Sequence, residues 1–139
     1  MKPSRSRKVE DFMTTAVITM RETDTIGRVD LEMHLAAVKH IPVVDAQSHV
    51  LGILSSHDVL RAYAHGLGKP IPVAQFMSRR PLTVRPSTPA YEAVALMLEQ
   101  KIGALPVVGD DEQLVGIVTA TDFLAVAHHA LRGESLERG

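Results

Sequence analysis

The sequence predicts an α+β fold in which two βαββα units stand in tandem and pack sheet to sheet with pseudo-two-fold symmetry. Three observations carry that prediction. The chain matches itself without gaps at an offset of 64 residues, and a repeat fixes an architecture before any single element is assigned. Each copy sets one amphipathic helical pattern among short β-branched runs. Each copy is also only about 60 residues long, a size at which burial is marginal, so the two halves are expected to pack against each other.

The first copy opens at Val9, Phe12 and Met13, which meet Val73, Phe76 and Met77 in the second. A short extended piece follows, Val17 to Met20 and Pro81 to Val84, with Thr19 and Arg21 meeting Thr83 and Arg85. The next element is a helix. In the second copy Thr88 is placed to cap it, and Pro89 takes the first helical position, where the missing N–H has no partner to lose. Ala90, Ala93, Val94, Met97 and Leu98 then follow the i, i+3, i+4, i+7, i+8 rule and form one apolar stripe. The first copy puts Ile26, Val29, Met33 and Ala37 on its stripe, but it includes the charged Asp30, and Gly27 weakens the helix by roughly 1 kcal/mol relative to Ala.

Ile41 to Val44 and Leu105 to Val108 read as buried strands, each followed by a polar turn and a second strand, Val50 to Leu54 and Leu114 to Val118. Here Pro42, Val43, Val44, Gly52 and Ile53 meet Pro106, Val107, Val108, Gly116 and Ile117. A closing helix completes each copy, with Asp58 and Leu60 meeting Asp122 and Leu124. Between the copies, His65 to Pro72 (HGLGKPIP) has the composition of a linker. The chain divides into a flexible leader 1–8, a repeat 9–65, a linker 66–72, a repeat 73–131 and a tail 132–139.

Composition excludes several functions. The 15 Lys and Arg balance 16 Asp and Glu, so no overall field favours nucleic acid or an anionic membrane. The one basic cluster, Lys2, Arg5, Arg7 and Lys8, reads as a solvated leader. Aromatic residues make up 4% of the chain, too few for the stacking platforms of single-strand binders. No cysteine is present, which removes disulfides, thiolate metal ligands and a cysteine nucleophile together. No apolar run approaches the roughly 20 residues that span a bilayer, so a cytoplasmic protein is expected. His128 and His129, adjacent on the last helix, project about 100° apart and make a poor shared metal site.

The chemistry concentrates in Gly52-Ile53-Leu54-Ser55-Ser56-His57-Asp58 and Gly116-Ile117-Val118-Thr119-Ala120-Thr121-Asp122. In each, a strand runs into a hydroxyl residue and an Asp stands three positions on, just as a helix begins. Such a Ser/Thr-x-x-acid pattern is a capping box, in which the two side chains satisfy free amides at the helix start. The same geometry suits a nucleotide, because a helix N-terminus favours phosphate and a carboxylate accepts from ribose hydroxyls. Gly52 and Gly116 let either a ligand or another backbone approach the strand closely. Both readings stay open on the residues alone.

This duplicated arrangement resembles the cystathionine beta-synthase type (CBS) domain, whose tandem pair is called a Bateman module. The likeness rests on Pro-Val-Val (Pro42 to Val44, Pro106 to Val108) followed by Gly-Ile-x-Ser/Thr-x-x-Asp-x-Leu, and it covers about residues 9 to 130. The resemblance implies βαββα repeats packed through their sheets, a homodimer, and a regulatory sensor of AMP, ADP, ATP or S-adenosylmethionine, with no required cofactor. It implies two composite clefts. The first takes Ser55, His57 and Asp58 with Pro81, Leu82, Ile102, Gly103 and Ala104. The second takes Thr119, Thr121 and Asp122 with Val17, Ile18, Val38, Lys39 and His40. Asp58 and Asp122 are expected on ribose hydroxyls, Ser55 and Thr119 on phosphate, and the apolar members around adenine. Arg79 and Arg80 are candidate phosphate contacts for the first cleft, and Lys39 and His40 for the second.

The sequence offers no enzyme apparatus. It has neither a Gly-x-x-x-x-Gly-Lys-Ser/Thr loop nor a His-Glu-x-x-His pair. Ser55, His57 and Asp58 are the residue types of a hydrolytic triad, but crowding at one helix start denies them its geometry. The chain carries no pattern of an effector domain, so the expected output is association with a partner protein. The rival expectation is a dimerisation scaffold whose clefts are vestigial and whose Asp residues only cap helices.

Overall fold

Burial on both faces marks one strand in each half. In a computed structural model, which describes residues 7–66 and 70–133, strand β1 (His40–Val44) pairs antiparallel with β2 (Val50–Ser55), and β4 (Ala104–Val108) with β5 (Leu114–Thr119). Lys2 and Arg5 of the leader, 67–69 of the linker and 134–139 of the tail lie outside the described residues. Ile41 and Val43 point into one apolar cluster, Leu105 and Val107 into another. Successive side chains on a strand take opposite faces, yet Pro42, Val44, Pro106 and Val108 are buried too. β1 and β4 are thus apolar on both sides. The two hairpins touch at their turns, where His49 bridges Gln113 and the Leu114 N–H donates to the Ser48 carbonyl at 2.9 Å.

Helix α1 (Ile26–Ala36) starts at Thr25, whose hydroxyl accepts from the Arg28 N–H at 3.3 Å, and it buries Ile26, Val29 and Met33. Ala37 leaves the stripe. It closes the helix at φ 55°, in the left-handed conformation, and lies exposed. Helix α3 (Ala90–Gln100) buries Ala90, Ala93 and Met97. Its N-cap is Pro89 rather than Thr88, because the Thr88 hydroxyl turns back to accept from the Arg85 N–H at 3.0 Å. Leu98 is 73% exposed, and Leu96 packs against the core instead. The extended pieces expected as first strands are shorter than the sequence suggests. Each makes one parallel bridge, Met20 to Val43 and Val84 to Val107.

The two halves also trade their opening segments. Val9 is buried in the cluster of the second repeat, while Val73 and Met77 are buried in the cluster of the first. The trade satisfies a helix end each time: the Ala90 N–H donates to the Arg7 carbonyl at 2.8 Å and the Ile26 N–H to the Ile71 carbonyl at 2.9 Å. Arg7 and Lys8, expected in a solvated leader, are therefore engaged with the second repeat, Lys8 by a bridge to Pro89. The traded segments then run along the second strand of the opposite repeat. A two-residue strand β3 (Ser78–Arg79) pairs with β2, and Thr14 bridges Ile117 of β5. Gly52 and Gly116 sit at these crossings, where a Cβ would lie 2.8 Å from the Ser78 carbonyl oxygen and 2.9 Å from that of Thr14. What approaches these glycines is backbone.

Helices α2 (Ser56–Gly66) and α4 (Ala120–Leu131) complete the repeats. Helix α4 has no buried residue, and Leu124 is 66% exposed.

Candidate functional site

Pairing of the hairpins carries each motif to the same place. His40 faces Ser55 across β1 and β2, and Ala104 faces Thr119 across β4 and β5, so the residues before each Pro-Val-Val lie beside the start of the closing helix. The first amide of each helix is tied to that neighbour: Ser56 N–H donates to the Lys39 carbonyl and Ala120 N–H to the Gly103 carbonyl, both at 2.9 Å.

Two clefts open at these junctions. One, of about 540 Å³, gathers Ser55, His57, Asp58, Pro81, Leu82, Ile102, Gly103 and Ala104. The other, of about 650 Å³, gathers Thr119, Thr121, Asp122, Val17, Ile18, Val38, Lys39 and His40. Apart from the phosphate candidates Arg79 and Arg80, every residue assigned to a cleft from the sequence lines that cleft, and both volumes fall in the range of about 300–1,000 Å³ typical of small-molecule sites. Sequence reasoning missed Ile53, Ser56, Ser78, Gln100 and Lys101 in the first and Thr14, Ala16, Ala36, Ala37, Ile117 and Ala120 in the second. Ser78 and Thr14 belong to the traded segments, which no local pattern reveals. The lining also crosses over, since Lys39 and His40 reach the first cleft and Gly103 the second.

Arg79 and Arg80 are absent from the lining of both clefts. Arg79 turns to Glu22 at 3.5 Å and to the Ala74 carbonyl at 3.3 Å, because β3 sends it along the traded segment. Arg80, at φ 50°, donates its N–H to the Leu51 carbonyl and is exposed.

The capping box is formed in both repeats. The Asp58 Oδ2 accepts from the Ser55 N–H at 2.8 Å and from the Ser55 hydroxyl at 3.1 Å. The Asp122 Oδ2 accepts from the Thr119 N–H at 2.7 Å and from its hydroxyl at 3.1 Å. Capping therefore uses one oxygen of each carboxylate and leaves the other. The remaining oxygens differ: Asp58 Oδ1 accepts from Arg61 Nη2 at 3.1 Å, whereas no partner of Asp122 Oδ1 occurs among the described residues. Capping and ligand binding are thus compatible, most simply at Asp122. The hydroxyl protons of Ser55 and Thr119 point to their own carboxylates, so donation to phosphate requires each to rotate.

His40 is the titratable group whose surroundings matter most. Burial pushes its pKa below the ordinary 6.5, Asp58 pulls the other way, and Lys39 adds to the depression. His57 lies exposed at the rim. Among the described residues, no three His, Asp or Glu side chains group to hold a metal ion, and no helix is long and apolar enough to cross a membrane. A third hollow, of about 710 Å³, lies between α1 and α2 and includes neither motif carboxylate.

Comparison with known proteins agrees with this architecture. The CBS domain family model matches residues 9–65 and 73–129. A homoserine O-acetyltransferase of Methanococcoides burtonii is 35% identical over 115 residues, covering 83% of this chain and 23% of that protein. The chain spans less than a quarter of the length of the curated relatives it matches. Among solved structures, a putative acetoin utilization protein of Vibrio cholerae superposes with a TM-score of 0.81 at 35% identity, over 92% of this chain and 95% of that one. The CBS domain pair of protein MJ0100, in complex with 5'-methylthioadenosine and S-adenosyl-L-methionine, gives 0.80 at 27% identity, over 86% and 98%. CBSX2, from Arabidopsis thaliana, in complex with AMP gives 0.77 at 29%, over 88% and 97%.

Proposed function

The chain belongs to the CBS domain family as a tandem pair of repeats, and from that premise we propose that it is a regulatory sensor rather than an enzyme. It binds adenosyl ligands, AMP, ADP, ATP or S-adenosylmethionine, in the two clefts between its repeats and passes the change to a partner protein. One observation carries the reading: sixteen residues from both repeats, far apart in sequence, converge on two clefts that each hold a motif carboxylate. In each cleft the carboxylate meets ribose hydroxyls through its outer oxygen, and the apolar wall, Leu82 and Ile102 or Val17 and Ile18, encloses adenine. Basic groups at the cleft floor face phosphate. Fold relatives that hold AMP, S-adenosylmethionine and 5'-methylthioadenosine support the ligand class.

Output runs through association. The outer helices expose Leu60 on α2, Leu98 on α3 and Leu124 on α4, apolar surface that a second copy would cover in a homodimer. The protein works in the cytoplasm, in keeping with a chain without cysteine.

A scaffold with vestigial clefts is the second reading, favoured by the engagement of both Asp58 oxygens with Ser55 and Arg61. Calorimetric titration of AMP, ATP and S-adenosylmethionine into the wild type, Asp58→Ala and Asp122→Ala separates the two. Sensing predicts binding that drops at least tenfold in one cleft per substitution. Silence from all three ligands at millimolar concentration removes it and leaves the scaffold.

A further inference from the structure

The two clefts draw on one pair of basic residues. At the offset of 64, Lys39 and His40 correspond to Gly103 and Ala104, so the repeat contributes charge at this place once and not twice. Both Lys39 and His40 line both clefts, and Gly103 lines both as well. The contact between these segments is close: a Cβ on Gly103 would stand 3.2 Å from His40 Cε1 and 3.3 Å from its Nε2. The absent side chain lets the imidazole lie against the opposite repeat, where it forms part of the partition between the clefts. The first cleft has a second ammonium, since Lys101 also lines it. Among the described residues, the second has only the Lys39 ammonium, beside the His40 imidazole and against Asp122.

We propose that the Lys39 ammonium, with the His40 imidazole beside it as a hydrogen-bonding group, acts as a single phosphate-binding element shared by the two clefts, so that phosphate-bearing ligands compete for it and bind with negative cooperativity, while an uncharged nucleoside binds without it. This rests on reading the clefts as adenosyl sites. A Lys ammonium on its flexible four-carbon stem follows whichever phosphate arrives first. The second phosphate then meets a neutralised partition and a like charge across it. The coupling is reciprocal, since each ligand weakens the other by the same factor. The basic pair also sets preference: the second cleft discriminates AMP from adenosine through Lys39 and His40, whereas the first retains part of that discrimination through Lys101.

The test compares stepwise affinities by calorimetry, with AMP and adenosine as probes. Asp58→Ala and Asp122→Ala each close one cleft and give the intrinsic affinity of the other; Asp58→Asn and Asp122→Asn, which keep a capping side chain, replace them where alanine prevents folding. In the wild type the second AMP is expected to bind about tenfold more weakly than the single-cleft value, a typical coupling factor, while both adenosine steps match theirs. The Lys39→Gln/His40→Gln double variant is expected to remove the coupling and to abolish the second cleft's preference for AMP. Stepwise AMP affinities equal to the single-cleft values, or adenosine coupled as strongly as AMP, overturn the shared element alone. No binding of either probe overturns it together with the sensor reading.

Discussion

Replacing Gly116 by Ala tests the traded segments, because one methyl group there must push two backbones apart. The added Cβ would stand 2.9 Å from the Thr14 carbonyl oxygen and 3.0 Å from the Met13 sulfur. A methionine side chain can swing away, but the carbonyl is held by the bridge it makes, in which Ile117 N–H and Thr14 N–H each donate at 2.9 Å. Reaching an ordinary carbon–oxygen contact of about 3.3 Å requires the segments to separate by roughly 0.4 Å, which weakens both hydrogen bonds. Overpacking of this kind costs about 1–3 kcal/mol, offset by about 0.4–1 kcal/mol from the stiffer unfolded chain. A net loss of about 1–2 kcal/mol is expected, near 3–8 °C in Tm for a chain of this size. Gly52→Ala, facing Met77 sulfur at 2.6 Å and Ser78 oxygen at 2.8 Å, should lose at least as much. Gly27→Ala is the control, since nothing lies nearer its added Cβ than Thr25 Oγ1 at 4.0 Å; in the first turn of α1 it should gain about 0.5–1 kcal/mol. Thermal unfolding followed by circular dichroism reads all three. Should Gly116→Ala and Gly52→Ala stabilise as Gly27→Ala does, the crossing of the segments is wrong.

Three further outcomes follow from particular residues. His40 has its folded pKa below 6.5, so the unfolded chain takes up its proton first and stability falls as pH drops through and below 6.5; wild type should lose stability there relative to His40→Gln, as urea titrations from pH 7.5 to 5.5 would record. Tyr63 donates to Asp30 at 2.9 Å and ties α2 to α1; Tyr63→Phe should cost about 0.5–1.5 kcal/mol in denaturant unfolding, and the wild-type phenol should ionise above its ordinary 10.0 in an ultraviolet titration, because of burial and the Asp30 bond. Leu98→Glu and Leu124→Glu, on exposed positions of α3 and α4, should leave the fold intact and shift a dimer to monomer in sedimentation velocity.

Much of the fold and most cleft membership were legible because they depend on local pattern and on one repeat. Gly52 to Asp58 and Gly116 to Asp122 each span a strand end and a helix start, and hairpin pairing then brings His40 or Ala104 alongside. The traded segments were not legible, since matching Val9 with Val73 is the same whether each packs on its own repeat or on the other. The helix stripe erred where geometry at a terminus overrides periodicity: Ala37 serves as a left-handed C-cap, and Leu98 lies on the outer side while Leu96 turns in. Arg79 was placed near phosphate by its position in the chain, but pairing with β2 directs it to Glu22. The sequence also posed capping and ligand binding as alternatives, and only the structure reveals that capping engages a single oxygen of each carboxylate, which leaves Asp122 Oδ1 without a partner among the described residues.

A crystal structure of the protein with AMP would locate the ligand outright. The nucleotide is expected in a cleft between the repeats, with a ribose hydroxyl within about 2.5–3.0 Å of Asp122 Oδ1 while Oδ2 keeps its bonds to Thr119. AMP bound in the hollow between α1 and α2, or in a cleft with its ribose turned away from both Asp58 and Asp122, would contradict that expectation.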